Sequence, residues 1–245
     1  MFPQAADRLV GAIRDTLAQH ADPERGAAQQ RYMKSALPYR GLTSPGLRAA
    51  LRPLLADAAL RLPDRATWVG AARTLWDEAR YREEWYAAIA LLRHRAYAAF
   101  RGPDCMPVYR HFIVTGAWWD VVDDIATHLV REVLLDHPSA TDDLMREWAR
   151  TGPEVAGGLW LRRTAIICQV GAGPRVRREL LADSVAVNIA DRDFFIRKAI
   201  GWALRDYART DPAWVTEFLS RHHGSLSGLS IREAAKHLTE RPWES

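Results

Sequence analysis

Three carboxylates and two tryptophans stand within nine residues in the segment GAWWDVVDD, residues 116–124. On an ideal helix, Asp120 and Asp124 point toward water, whereas Asp123 falls at the edge of the apolar side, one turn after Trp119. A carboxylate held against an indole can stabilise positive charge that develops on a substrate, and it can orient or deprotonate a water molecule. The alternative, which periodicity alone favours, is a structural aspartate that bonds to a neighbouring arginine.

A second helical segment, WLRRTAIICQV at residues 160–170, places an arginine among apolar side chains. The helical wheel puts Arg163 between Ile166 and Ile167, whereas Arg162 lies on the polar side. A guanidinium in apolar surroundings requires an anion, because its charge is costly to bury alone. That anion is either a carboxylate of the protein or a phosphate of a ligand, and both interpretations are open.

The third segment is DFFIRKAIGWALRDY, residues 193–207, in which Trp202 lies off the buried side. Lys198 comes one turn before this tryptophan and Arg205 one turn after it. An indole between two cations suits a surface that meets sugar-phosphate and bases, although packing against a neighbouring repeat also explains it. Residues 160–210 contain ten Lys and Arg against five Asp and Glu, so this window carries about +5, where the whole chain carries +4. The charge predicts a groove that binds duplex DNA.

The elements that must position these residues are helices. Apolar residues recur at spacings of three and four almost everywhere, and alternating strand patterns are nearly absent. Prolines divide the chain into helical pieces: Pro23, Pro45, Pro53, Pro63, Pro103, Pro138, Pro153, Pro174 and Pro212. Ser44 before Pro45 predicts a helix start with an N-cap serine. Ser230 and Glu233 predict a capping box for the last helix.

One spacing favours a helical solenoid over a globular bundle. Trp76, Trp119, Arg163 and Trp202 are separated by 43, 44 and 39 residues, and HEAT and armadillo repeats have periods of about 40–47 residues. Such residues would line the concave face that solenoids use for binding. The sequence therefore predicts an all-α, HEAT-like helical-repeat solenoid with a concave basic DNA-binding face, formed as a single domain over residues 1–245.

The composition excludes several classes of protein. With 48% hydrophobic residues in 245, the chain can bury a sizeable core. The two cysteines, Cys105 and Cys168, are expected to be reduced core thiols. Apolar runs are too short for a signal peptide or a membrane span, so we expect a cytoplasmic protein. Gly-rich phosphate loops, metal-spaced His/Cys clusters and the GxSxG motif do not occur, so neither cofactor nor metal is expected.

Four motifs in this order resemble the AlkD-like family of DNA alkylation repair enzymes: WWDVVDD, WLRRTAI, DFFIRKAIGWALRDYA and SIREAAKHL. Near the N-terminus, YMK at residues 32–34, then Gly41-Leu42 and Pro45, extend the similarity over most of the chain. The resemblance implies a HEAT-like solenoid around duplex DNA. It also implies a monofunctional N-glycosylase for cationic N3- and N7-alkylated purines, which works without a base-flipping pocket and leaves an abasic site.

The resemblance also assigns roles to individual residues. Trp119 and Trp202 match the two active-site tryptophans, Asp123 the catalytic carboxylate, Arg163 the arginine that contacts the backbone near the lesion, and Tyr32 a DNA-facing tyrosine. The segment Pro38-Tyr39-Arg40 departs from the more apolar pattern of the family, which leaves adduct preference open. The full set of expected DNA contacts is Arg163, Tyr32, Lys198, Arg197, Arg205 and Arg162.

Other functions compete with general alkylation repair. A self-resistance glycosylase would remove bulky natural-product adducts. A catalytically inactive HEAT-like relative would bind unusual DNA structures. A protein-interaction scaffold would bind other proteins and not DNA. We expect a monomer, associated with the nucleoid, whose partner is double-stranded DNA containing alkylated bases.

Overall fold

The computed structural model describes residues 3–239, and every regular element in that range is helical. The predicted all-α class is confirmed, and the succession of helices is that of a helical-repeat fold. The described chain forms two compact units that divide between Arg101 and Gly102. A single HEAT-like domain with a concave basic face stays a prediction. No helix in the described range is both long and apolar enough to cross a membrane.

The described residues of the first unit form five α-helices: α1 (Pro3–Gln19), α2 (Pro23–Met33), α3 (Ser44–Ala56), α4 (Arg65–Asp77) and α5 (Arg82–Arg93). Helix α1 packs against α3, α4 and α5. The loop between α2 and α3 is tied to the buried Glu83, whose carboxylate accepts bonds from the backbone N–H groups of Arg40, Gly41 and Leu42.

The first unit also buries Trp76, which stacks on Trp85 with ring centroids 4.5 Å apart. This residue began the series of repeat positions that the sequence placed on a binding face. Only 3% of Trp76 is exposed, so it is a core residue rather than a surface contact.

Up to residue 239, the second unit contains nine α-helices: α6 (Met106–Gly116), α7 (Trp119–Asp124), α8 (Arg131–Asp136), α9 (Pro138–Ala149), α10 (Gly158–Ile167), α11 (Arg178–Ala186), α12 (Phe194–Tyr207), α13 (Pro212–His222) and α14 (Gly228–Ala234). Helix α10 contacts α6, α7, α9 and α12, so it is central to the unit. Helix α12 packs along α14. Both cysteines are buried and free, as predicted, and burial raises the pKa of Cys168 to about 12.

The polypeptide between α7 and α8 is a π-helix, Ile125–Val130, so that residues 119–136 form one continuous helical run. Trp118 precedes it in extended conformation, after Ala117 at a φ of 38°. The helix that carries Asp123 therefore begins at Trp119, and Trp118 lies outside it. On a regular α-helix Thr127 would share the water-facing side of Asp120 and Asp124, but Thr127 is buried. A π-helix has more residues per turn than an α-helix, which rotates Thr127 onto the buried side.

Three local predictions are wrong by small amounts. Pro53 lies inside α3, where it removes one helical hydrogen bond close to the helix end. The N-cap of α3 is Thr43, whose hydroxyl accepts from the N–H of Gly46, rather than Ser44. The capping box at Ser230 does not form, because α14 already begins at Gly228 with Ser227 as its N-cap.

Candidate active site and nucleic-acid interface

Asp123 and Arg163 bind each other. The guanidinium of Arg163 donates from Nε to Oδ1 of Asp123 and from Nη2 to Oδ2, both at 2.7 Å. A third N–H, on Nη1, donates to the backbone carbonyl of Phe195 at 2.6 Å. The sequence offered a neighbouring arginine as the partner of Asp123, and a carboxylate of the protein as one partner of Arg163. The structure shows that these are the same contact, which joins α7, α10 and α12.

Burial determines the electrostatics of this pair. Side-chain exposure is 18% for Asp123 and 7% for Arg163. Burial raises the pKa of Asp123 above its ordinary value, and the bonds and charge of Arg163 oppose that rise. The bidentate geometry is the one in which a guanidinium best holds a carboxylate. Arg163 therefore both orients Asp123 and favours its ionised form.

An aromatic cluster lies behind Arg163. The ring of Phe195 packs against Trp160 at 5.0 Å and against Trp118 at 5.7 Å, and the two indoles lie 6.2 Å apart. The guanidinium carbon of Arg163 lies 5.9 Å from the centre of the Phe195 ring. Contacts with both indoles restrict Phe195, and its carbonyl in turn restricts Arg163. The sequence gave no signal that Phe195 helps to position the pair, because its contact with Arg163 joins two helices.

The two predicted active-site tryptophans differ in exposure. Trp119 is 38% exposed at the start of α7, one turn before Asp123. Trp202 is half-buried on α12, where it packs against the apolar core of the second unit. Both indoles thus retain surface on the outside of this unit. Tyr32 belongs to the first unit, at the end of α2, and is 79% exposed.

The structure neutralises most of the basic window. Of its ten cations, seven form ion pairs: Arg162 with Asp191, Arg163 with Asp123, Arg175 with Asp136, Arg177 with Asp142, Arg178 with Asp211, and both Lys198 and Arg205 with Glu233. Most of these acids lie outside residues 160–210, so counting charges within the window overstated the local field. Arg209 contacts His237 instead.

Among the cations predicted to contact DNA, Arg197 forms no ion pair with a described residue. Its Nε is buried and has no hydrogen-bond partner there. Arg192, in the same window, has no ion pair in residues 3–239 either. In the described part of the chain, no group of three or more His, Cys, Asp and Glu side chains could hold a metal ion.

Residues 13–238 match the family model of the DNA alkylation repair enzymes. The chain belongs to this family. Its structure is similar to a solved structure described as a predicted DNA alkylation repair enzyme from Enterococcus faecalis, with 26% sequence identity and a TM-score of 0.75. The similarity covers 90% of this chain and 97% of the other. A search of curated proteins found no match. Membership in the DNA alkylation repair family supports a role in DNA repair.

Two residues of this DNA alkylation repair protein to which the sequence assigned no role in binding DNA also matter to the candidate interface. Glu233 and Lys236 belong to the SIREAAKHL segment, where the sequence suggested only a helix cap. In the structure Glu233 binds Lys198 and Arg205 from α12 as well as Lys236. Sequence periodicity contains no signal for this contact, because it joins helices about 30 residues apart.

Proposed function

We propose that this protein is a monofunctional DNA N-glycosylase that excises cationic N3- and N7-alkylated purines from duplex DNA and leaves an abasic site. The observation that carries the proposal is the carboxylate of Asp123, half-buried and held by two 2.7 Å bonds one turn after the exposed Trp119. A fixed carboxylate that is largely shielded from water is suited to stabilise a developing cation.

The substrate explains why a carboxylate suffices. A purine alkylated at N3 or N7 carries a positive charge, so it leaves as a neutral base with both electrons of the bond from C1′ to nitrogen. The deoxyribose then acquires oxocarbenium character, which the charge of Asp123 stabilises. Water adds to C1′, and its proton passes to Asp123 or to solvent. No acid is needed to protonate the base, and no lysine Schiff base is formed.

Arg163 has donors left for DNA while it holds Asp123. A guanidinium has five N–H groups, and three of those of Arg163 are used by Asp123 and Phe195. The two others can bond to a phosphate beside the lesion without breaking the pair. In this proposal Trp119 and Trp202 place their π-faces on the sugar and backbone, where they favour positive charge.

The decisive experiment measures base release from duplexes that contain N7-methylguanine or N3-methyladenine. We expect Asp123→Asn to lose roughly a hundredfold or more in rate while DNA binding persists. Asp124→Asn is the matched control, since it removes a neighbouring carboxylate from the same helix. That carboxylate contacts Nδ1 of His128 at 2.9 Å rather than Arg163. The control variant should keep the wild-type rate. Full activity of Asp123→Asn, with its melting temperature intact, would remove Asp123 from the mechanism.

A second candidate function is a HEAT-like binder of unusual DNA structures without chemistry. One observation favours it: both oxygens of Asp123 are bonded to Arg163, as they would be in a purely structural ion pair. Such a protein would bind DNA in a salt-sensitive way and release no base from any duplex. Release from a duplex with a bulky N7 adduct, but not from a methylated one, would instead identify a self-resistance glycosylase.

A further inference from the structure

A cluster of three cations around one carboxylate lies where α14 meets α12. Glu233 accepts from Lys198 at 3.0 Å and from Lys236 at 2.8 Å through Oε1, and from Arg205 at 2.6 Å through Oε2. Three positive charges on one negative charge leave a local excess of two. An ordinary structural ion pair would be neutral, so this cluster still attracts an anion.

The carboxylate lies deeper than its partners. Side-chain exposure is 12% for Glu233, against 37% for Lys198, 25% for Arg205 and 50% for Lys236. Each cation keeps further N–H groups beyond the one that Glu233 accepts. Glu233 thus binds the cations from the buried side, and their remaining N–H groups can donate to a ligand on the exposed side. The bonds of Lys236 and Lys198 lower the pKa of Glu233 to about 2, so it is ionised whenever DNA binding is measured.

Backbone packing brings Glu233 to this place. A Cβ on Gly201 would lie 2.5 Å from the Cβ of Glu233 and 3.0 Å from the carbonyl oxygen of Ser230, so α14 approaches α12 at a glycine. The hydroxyl of Ser230 donates to the carbonyl of Arg197 at 2.9 Å and ties the two helices together. Ser230 and Glu233, which do not form a capping box, both serve this contact between helices.

Trp202 connects the cluster to the proposed site. Lys198, Trp202 and Arg205 stand at spacings of four and three residues on α12, and side chains at these spacings share one side of a helix. The cations therefore flank an indole that retains exposed surface. A phosphodiester chain beside an aromatic ring has the matching chemistry, with negative charges on both sides of a stacking surface.

We propose that Glu233 is a positioning residue that orders Lys198, Arg205 and Lys236 into a site for backbone phosphates of duplex DNA beside Trp202. The inference rests on the proposed function, because it places the bound duplex against the surface that carries Trp202. Glu233 itself touches no DNA and acts through the three cations. Removing its negative charge would then weaken DNA binding, which is the opposite of what simple charge repulsion predicts.

The test compares Glu233→Gln with Glu179→Gln. Glu179 is exposed on α11 and has no ion pair among the described residues, so its substitution gives the effect of charge alone. Binding to an unmodified duplex is titrated over a range of salt concentrations, and base release is measured in single turnover at saturating DNA. We expect Glu233→Gln to weaken binding about three- to fivefold and to reduce the salt slope by about one contact. Its single-turnover rate should equal that of the wild type.

Three other results for the variants would overturn the inference. Binding by Glu233→Gln as tight as or tighter than that of Glu179→Gln would show that Glu233 only repels DNA. An equal loss in binding and in the single-turnover rate would make Glu233 a residue of the fold. If Glu233→Gln does not fold, Lys236→Gln decides, and unchanged binding would then reject the cluster. A wild type that binds DNA but releases no base would reject the glycosylase alone, since the binding titration still tests Glu233.

Discussion

At the scale of the residue, Asp123 combines two opposing influences. Burial favours its protonated form, whereas the guanidinium of Arg163 favours the ionised one, and burial is the larger. In the proposed chemistry the ionised form is the active one. Activity is therefore lost as the pH falls through a pKa that lies above the ordinary value for aspartate. Any change that weakens the bonds from Arg163 moves this loss to higher pH.

Arg163→Lys tests this dependence. Lysine keeps the charge but replaces the two-pronged fork with a single ammonium, so the pKa of Asp123 should rise further. We expect the acid limb of the pH–rate profile, measured in single turnover, to shift to higher pH, with part of the activity recovered at alkaline pH. Arg146→Lys, which changes a bond to Asp183 at 3.0 Å, is the control. An acid limb that coincides in all three proteins would mean that Asp123 does not titrate in the reaction.

At the scale of the element, the π-helix that follows Asp123 is the unusual feature. Single π-helical turns occur often at functional sites, because the extra residue interrupts the regular bonding. Here the hydroxyl of Thr127 donates to the backbone carbonyl of Asp123 at 2.7 Å. This bond supplies a local partner at the point where the helical pattern changes. Thr127 therefore helps to hold the backbone that carries Asp123.

Thr127→Val removes that hydroxyl and nearly preserves the shape of the side chain. Leaving a buried polar group with one partner fewer costs about 1 kcal/mol of the free energy of unfolding, measured by urea denaturation. Thr74→Val, which removes a bond of the same type to Gly70 at a less buried place, should cost less. If the rate of base release falls by more than the loss of folded protein accounts for, the π-helix positions Asp123. Equal costs at the two sites would deny Thr127 any special part.

The contact between α12 and α14 depends on a glycine. Gly201→Ala would place a methyl group against Glu233 and Ser230, and such overpacking costs about 1–3 kcal/mol. Gly70→Ala, on α4, meets nothing within 4 Å and should stabilise the protein by about 0.5–1 kcal/mol, since alanine favours helix. Thermal unfolding of the two variants should therefore shift in opposite directions. A neutral Gly201→Ala would mean that the helices can separate without cost.

At the scale of the whole molecule, ion pairs between distant segments shape the charge. Arg177 binds Asp142 and Arg175 binds Asp136, whereas Arg178 binds Asp211, so acids from both earlier and later segments neutralise the basic window. The unfolded chain lacks these pairs, which links stability to pH wherever the pairing shifts a pKa. Glu233 is the clearest case, because its pKa falls from 4.5 to about 2.

The sign follows from the lowered pKa. Glu233 contributes stability that is fully present above pH 4.5 and is lost as the pH falls toward about 2. We expect wild type to be more stable than Glu233→Gln at neutral pH, with the difference closing over that range. Chemical denaturation at a series of pH values measures it. A difference that does not change with pH would mean that Glu233 is held by its shape rather than by its charge.

Local periodicity was sufficient to predict the helices and the surroundings of several site residues. The spacing of apolar residues predicted the helices, put Asp123 at the edge of a buried side and placed Arg163 among apolar side chains that demand an anion. Eight of the nine prolines named from the sequence lie at helix starts or between helices, and Pro53 is the exception. These features depend on neighbours within a turn or two, so the order of residues alone determines them.

Only the tertiary structure decided which partners meet. The anion that binds Arg163 is Asp123, 40 residues earlier in the chain. The cations on either side of Trp202 form ion pairs with Glu233 on another helix. Packing also buried Trp76, which the spacing of the repeat had put on a surface. A helical wheel specifies which side of a helix is apolar, but not which helix covers it or which charge that helix brings. Those contacts depend on the packing of helices distant in sequence, and from that packing come both the held carboxylate and the ordered cations.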